Sequence, residues 1–150
     1  MQSSGLLSDE HSRLRVILSQ MEEHAISTVR IREKLFERFY NLLSSHMKFE
    51  EVVLRGLLDQ NVDCSDEIHQ LIEEHYLFRL MLFEMKAVPK NHKRWGAKVR
   101  IVKDFIDRHI DYEEIDFYEA LREALSEEQF KIVWKNFSQS RDEMGFNLTT

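Results

Sequence analysis

Little in this chain can break a helix, because it has one proline, Pro89, and four glycines among 150 residues. Strict polar–apolar alternation is also missing, which removes the pattern of a half-buried strand. A lone cysteine, Cys64, excludes an intrachain disulfide. Its place before Ser65 and Asp66 reads as an incidental loop thiol. No basic surplus exists: the formal charge of −6 argues against a general nucleic-acid binder. No apolar run approaches the ~20 residues that span a bilayer. The first five residues lack the basic and apolar regions of a signal peptide. These absences predict a soluble protein of the reducing cytoplasm, with no membrane and no nucleic acid among its partners. On that reading Asn147-Leu148-Thr149 matches a glycosylation sequon by chance.

What is present is ordinary for a globular chain, with 43% hydrophobic and 32% charged residues, and the length suits one domain with a real core. Apolar residues recur in steps of three and four. They predict helices over about 6–23, 28–59, 65–86 and 93–124. The polar stretch Asp59-Gln-Asn-Val-Asp-Cys-Ser65 reads as a turn, and Pro89 and Asn91 close the third helix. Ser126-Glu-Glu-Gln129 resembles a capping box. It would open a short fifth helix that lays Phe130, Val133, Trp134 and Phe137 on the bundle. Four long helices with short links predict an all-α fold: an antiparallel up-down-up-down four-helix bundle over residues 1–140, with a short C-terminal fifth helix. Residues 141–150 read as a flexible tail.

Four histidines interrupt the apolar stripes. His11, His46, His75 and His109 stand one per helix where leucine would serve the core. Glu50 and Glu113 follow His46 and His109 by four residues. With antiparallel packing, His11, Glu50, His75 and Glu113 fall within roughly 8–16 Å of the same bundle end, so the six groups share a layer. Buried imidazoles and carboxylates are costly unless paired or bound to a metal. Residues i and i+4 lie about 40° apart on a helix, so each His-x-x-x-Glu aims a nitrogen and a carboxylate at neighbouring points. Two carboxylates in the centre can each bridge two cations, and His11 and His75 complete the ends. Nitrogen and oxygen donors without a thiolate suit iron, with manganese as competitor. A structural zinc site more often uses cysteine. Each metal keeps room for water or an exogenous ligand such as dioxygen, nitric oxide or peroxide.

Angular position also sorts the neighbours. Glu113 is preferred to Glu114, which sits about 140° from His109 on a regular helix, and Glu50 is preferred to Glu51. His24, His69 and His92 read as non-ligands, and Tyr76, Tyr112 and Phe117 as packing. The pair Glu73-Glu74 reads as a solvated edge, Arg79 as a snorkelling surface arginine, and the basic stretch from Lys86 to Lys103 as an exposed face.

The order His11, His46-x-x-x-Glu50, His75 and His109-x-x-x-Glu113 resembles the hemerythrin-like, or HHE cation-binding, domain family. Ser-Asp-Glu-His11, Glu-Glu-His75 and His109-Ile-Asp-Tyr-Glu-Glu are similar to that family as well, and the resemblance covers about residues 6–137. It implies a non-haem centre of two iron ions, oxo- or hydroxo-bridged, in a four-helix bundle. His11, His46, His75 and His109 would be terminal ligands, with Glu50 and Glu113 bridging. The oxygen-carrying hemerythrins of marine invertebrates carry a further histidine where this chain has Arg79. They also carry His-x-x-x-x-Asp on the fourth helix, where the +5 position here is Glu114. The missing histidine leaves a less saturated metal, suited to redox turnover or sensing.

The leading expectation is therefore a protein that binds O2 or a related diatomic for sensing, storage or protection, rather than a dedicated enzyme. The alternatives are a di-iron redox enzyme, for peroxide or nitric oxide detoxification or iron repair, and a metal-free interaction bundle. No protein partner is identified.

Overall fold

The structure, a computed structural model, describes residues 5–133 and 135, with side chains from residue 9 onward. All regular structure among the described residues is helical. Helix α1 spans Gly5–Glu23, α2 Val29–Asp59, α3 Ser65–Ala87 and α4 Trp95–Asp111. A π-helical segment, Tyr112–Phe117, joins α4 to α5, Tyr118–Ala124. One further helical stretch lies at 127–133. No described helix is long and apolar enough to cross a membrane.

Helix ends follow local chemistry. Thr28 caps α2, its Oγ1 accepting from the Ile31 N–H at 3.4 Å. At the other end Asn61 takes φ 55°, a left-handed turn that asparagine tolerates. The Val62 N–H then returns to Leu57 O at 3.4 Å and the Asn61 N–H to Leu58 O at 3.1 Å, closing α2 in a Schellman turn. Lys90 closes α3: its Nζ donates to the carbonyls of Met85, Lys86 and Val88 at 2.9–3.3 Å. This residue of the expected basic face is thus a helix cap, and its ammonium also sits over the Phe36 and Trp95 rings. Ser126 and Gln129 form the expected capping box, each side chain satisfying the other's backbone N–H at 2.8 and 3.1 Å. Phe130 and Val133 on that stretch are buried. Trp134, Phe137 and the expected tail lie outside the described side chains.

Helix α1 packs on α2 and α4, and α3 packs on α2 and α4, so four helices enclose one interior. That interior is divided. One apolar cluster gathers Leu14, Leu18, Phe39, Leu82, Trp95 and Val102 among others. The second gathers Phe49, Leu54, Leu71, Phe117, Leu121 and Phe130. The residues between them are polar.

The expected fourth helix over 93–124 is not a single α-helix, because the backbone loosens at Tyr112–Phe117. There the Tyr118 N–H reaches back five residues to Glu113 O, which adds one residue to the turn.

Candidate metal centre

Every buried polar side chain among the described residues stands in the layer between the two apolar clusters. These are Glu10, His11, His46, Glu50, His75, His109 and Glu113, none more than 3% exposed. The stripes explain how they arrive there: each replaces an apolar residue at a core position of α1, α2, α3 or the α4 run. Burial in low dielectric is unfavourable for all seven, so their clustering demands a compensating interaction.

Two groups of donor atoms lie within 4.8 Å of one another. One is His11, His46, Glu50 and Glu113; the other is Glu50, His75 and His109. Glu50 belongs to both, presenting one oxygen to each. Its Oε2 lies 3.1 Å from His46 Nε2 and its Oε1 3.1 Å from His75 Nε2. Glu113 Oε1 stands 2.8 Å from His11 Nε2, and the Nε2 atoms of His11 and His46 face each other at 3.3 Å. Both oxygens of Glu50 and of Glu113, and the Nε2 atoms of His75 and His109, lack a hydrogen-bond partner. Groups buried this deeply are normally satisfied, so these atoms match a site built to be completed by cations.

The opposite ring nitrogens show why Nε2 is the atom presented. Each Nδ1–H donates to a carboxylate from another helix. His46 donates to Glu10 at 2.7 Å, His75 to Glu51 at 2.9 Å, His109 to Glu74 at 2.6 Å and His11 to Glu114 at 2.5 Å. The pattern runs once around the bundle: α1 holds the histidine of α2, α2 that of α3, α3 that of α4, and the π segment that of α1. Carboxylates can only accept here, which fixes a hydrogen on Nδ1 and turns every Nε2 inward.

Protonation equilibria reflect this crowding. Burial depresses the His11 imidazole, but the Glu113 and Glu114 carboxylates beside it outweigh this and raise the pKa to about 9. His46 and His75 are also raised, burial being overcome by Glu50 with Glu10 and by Glu50 with Glu51, respectively. His109 goes the other way, because burial exceeds the support of Glu74. Burial and the Glu50 charge push Glu113 up to about 7, whereas Glu50, although equally buried, is held low by His46. Two adjacent buried carboxylates share protons in this manner.

All six residues singled out by sequence, His11, His46, Glu50, His75, His109 and Glu113, therefore meet in one layer. Glu113, however, stands with His11 and His46 rather than with His109, its helical neighbour. Four acidic residues were missed as parts of the site. Glu10 is buried on His46 instead of serving only the first turn of a helix. Glu74 holds His109 and is no solvated edge, although its neighbour Glu73 is exposed. Glu51 and Glu114, set aside as alternatives to Glu50 and Glu113, grip imidazoles from outside. Arg79 donates to Glu51 at 2.7 Å, so it braces the His75 support as well as snorkelling. The one signal available was the recurring Glu beside each inward residue: Glu10-His11, Glu50-Glu51, Glu74-His75 and Glu113-Glu114. His69 is exposed. His24 pairs with Ser27, and His92 accepts from the Arg94 N–H.

Comparison with known proteins agrees with this geometry. The model of the hemerythrin HHE cation-binding domain matches residues 3–121. A curated relative, a DNA nickase from Nostoc sp. (strain PCC 7120 / SAG 25.82 / UTEX 2576), is 23% identical over 120 residues, covering 80% of this chain and 33% of that protein. This chain thus spans about a third of the relative's length. No solved structure matches. With most of its length matched by that domain model, the chain belongs to the hemerythrin HHE cation-binding domain family.

Proposed function

We propose that this chain is a non-haem di-iron protein, with manganese as the competing metal, that binds O2 or a related diatomic for sensing, storage or protection. One observation carries the reading: Glu50 offers one oxygen to each of two donor groups whose imidazoles turn Nε2 inward. The donors are nitrogen and oxygen with no thiolate, a set that suits iron or manganese in a helical bundle. When bound, the two cations would supply the redox and ligand-binding chemistry. The residues hold and orient. His11 and His46 bind on one side, His75 and His109 on the other, Glu50 spans both, and Glu113 completes the first group. Phe78 stands edge-on to His109 at 5.1 Å and fixes one side of that imidazole. Leu77, Phe105 and Arg108 frame a cavity of about 60 Å³ that ends at His109 and Glu74, room for a diatomic to approach.

The arrangement of the helices fits an up-down-up-down bundle. From His11 to Arg15 on α1, the partners descend from Glu114 to Asp111 and Asp107. From Glu74 to Glu84 on α3, they descend from His109 to Lys98. Nucleic acid is not part of this reading, since the chain carries a net charge of −6 and only a third of the Nostoc relative is matched.

One feature favours a second reading, a redox enzyme acting on peroxide or nitric oxide. The second donor group has three residues against four in the first, and Arg79 points to Glu51 rather than adding a donor. Rapid multiple turnover with either substrate would select the enzyme; reversible binding would select the carrier or sensor. The test of both is metal analysis of purified, metal-loaded protein, with spectra of the reduced and air-exposed forms. Two metals per chain and new near-ultraviolet and visible absorption on exposure are expected. Fewer than one metal per chain refutes both readings. The double variant His46→Leu/His109→Leu should fold and bind no metal.

A further inference from the structure

Helix α3 is apolar on both sides. Its inner side carries Ile68, Leu71, Phe78, Leu82 and Met85, all buried. Its outer side carries Tyr76, Leu77, Leu80 and Phe83, between 44% and 75% exposed. Helix α4 adds Ile101 and Phe105 along the same edge, 52% and 39% exposed. Between the two helices runs a groove of about 300 Å³ lined by Met81, Met85, Ile101 and Val102, with Arg94 at its rim. Helix α2, in contrast, turns Glu37, Arg38, Lys48 and Arg55 to solvent. A surface helix normally shows one apolar stripe, and an apolar face on the far side calls for cover. Among the described residues nothing covers it.

We propose that this face docks a second copy of the chain, α3 against α3 in antiparallel, about a two-fold axis near Leu80. Charge along α3 points to that occupant. Its amino-terminal half exposes Asp66 and Glu73; its carboxyl half exposes Glu84, which is paired with Lys98, and leads to exposed Lys86, Lys93 and Arg94. Because Lys98 pairs with Glu84, Arg94, one turn before Lys98, stands about level with the end of α3, as far from Leu80 as Glu73 is on the other side, and antiparallel pairing sets each acidic end against the partner's basic end. A two-fold contact is isologous: the same patch serves both copies, and one complementary gradient satisfies both ends at once. Leu80 then meets its own copy at the centre, the α3 apolar row fills the grooves on either side, and the charged residues form the rim. Central apolar side chains carry most of the affinity in such contacts, and rim charges set orientation.

The experiment reads mass and needs no metal. Sedimentation of the full chain across micromolar to millimolar concentrations should show a reversible monomer–dimer equilibrium. Leu80→Glu should weaken it by about 30-fold or more, with the helical circular-dichroism signal unchanged. Phe83→Ser, at the most exposed position of the row, should act in the same direction without touching the core, which guards against a folding defect in the first variant. Glu73→Lys and Arg94→Glu should each weaken the dimer, and the double reversal should restore it. A monomer at every concentration, a dimer indifferent to Leu80→Glu and Phe83→Ser, or a double reversal no tighter than its singles would overturn the proposal.

Discussion

An imidazole can present either nitrogen, and in this protein a carboxylate makes the choice at each of the four histidines. Supports of this type commonly contribute 10–100-fold to metal affinity. Glu74→Ala should therefore weaken metal binding roughly 10–100-fold in competition with a chromogenic chelator. Glu74→Gln should recover part of the loss, because its amide oxygen still accepts the His109 Nδ1–H. Equal losses in the two variants would show that charge, not orientation, is the contribution. The residue scale is also where the sequence was least informative. His11, His46, His75 and His109 were legible because each broke an apolar stripe, a local pattern. Glu51, Glu74 and Glu114 were not, because each acts on the histidine of another helix, and no period along one helix records that pairing. Glu73 and Glu74 look alike in sequence, yet only Glu74 faces an imidazole. Cys64 lends itself to a different test. Burial, with the charges of Glu67 and Asp63, pushes its thiol up to about 11. The reactive thiolate therefore forms only at high pH, and burial restricts access to it as well. At pH 8 its alkylation by iodoacetamide should be roughly a hundredfold slower than that of a free thiol of pKa about 8.5. Comparable rates would mean that the α2–α3 connection opens readily.

Elements were legible where capping and periodicity agree. Thr28, the polar turn from Asp59 to Ser65, and the Ser126–Gln129 pair each mark a helix end by side-chain or backbone hydrogen bonding, and the helices begin or stop there. The fourth helix was legible in extent and not in winding. Tyr112–Phe117 carries no proline or glycine to flag a change of pitch, and a π turn is stabilised by what it lets tertiary neighbours do. Here the added residue lets Glu113 face His11 Nε2 while Glu114 reaches His11 Nδ1. A regular helix would swing Glu114 about 100° from Glu113. Ile115, 56% exposed, is the residue to remove. Its deletion should return the segment to α-helical pitch and keep Phe117, Tyr118 and Leu121 on the buried side. Circular dichroism should show helix content preserved and thermal stability unchanged or raised. Metal affinity should fall, because His11 loses one or both glutamates. Undiminished metal binding in a folded deletion variant would show that the π turn does not position these carboxylates.

At the scale of the whole molecule, the polar layer divides an interior that would otherwise be one continuous apolar core. Leu14, Met47 and Ile110 border it on one side, Phe49, Leu71 and Phe117 on the other. The apolar clusters bring the four helices together, and the layer opposes them unless its charges are compensated. Within the chain itself the compensation is partial. Protons and imidazole–carboxylate contacts satisfy some atoms, and six donor atoms of Glu50, Glu113, His75 and His109 remain without a hydrogen bond. Cations that bind only the folded chain should then stabilise it by mass action, about 2.7 kcal/mol per site at a free concentration 100 times Kd. For a domain of this size that corresponds to roughly 5–10 °C in Tm per site. Calorimetry of the metal-loaded chain should show Tm falling by at least that amount when a strong chelator is added, and recovering when iron is restored. The His46→Leu/His109→Leu variant separates this linkage from a general effect of the chelator. It removes two buried imidazoles and adds apolar contact, so its Tm should be insensitive to chelator and should match or exceed that of the stripped wild type. If chelator lowers both proteins equally, the layer is not where the metal binds. If it lowers neither, the layer is a polar contact between helices, and the buried carboxylates are held by protons alone.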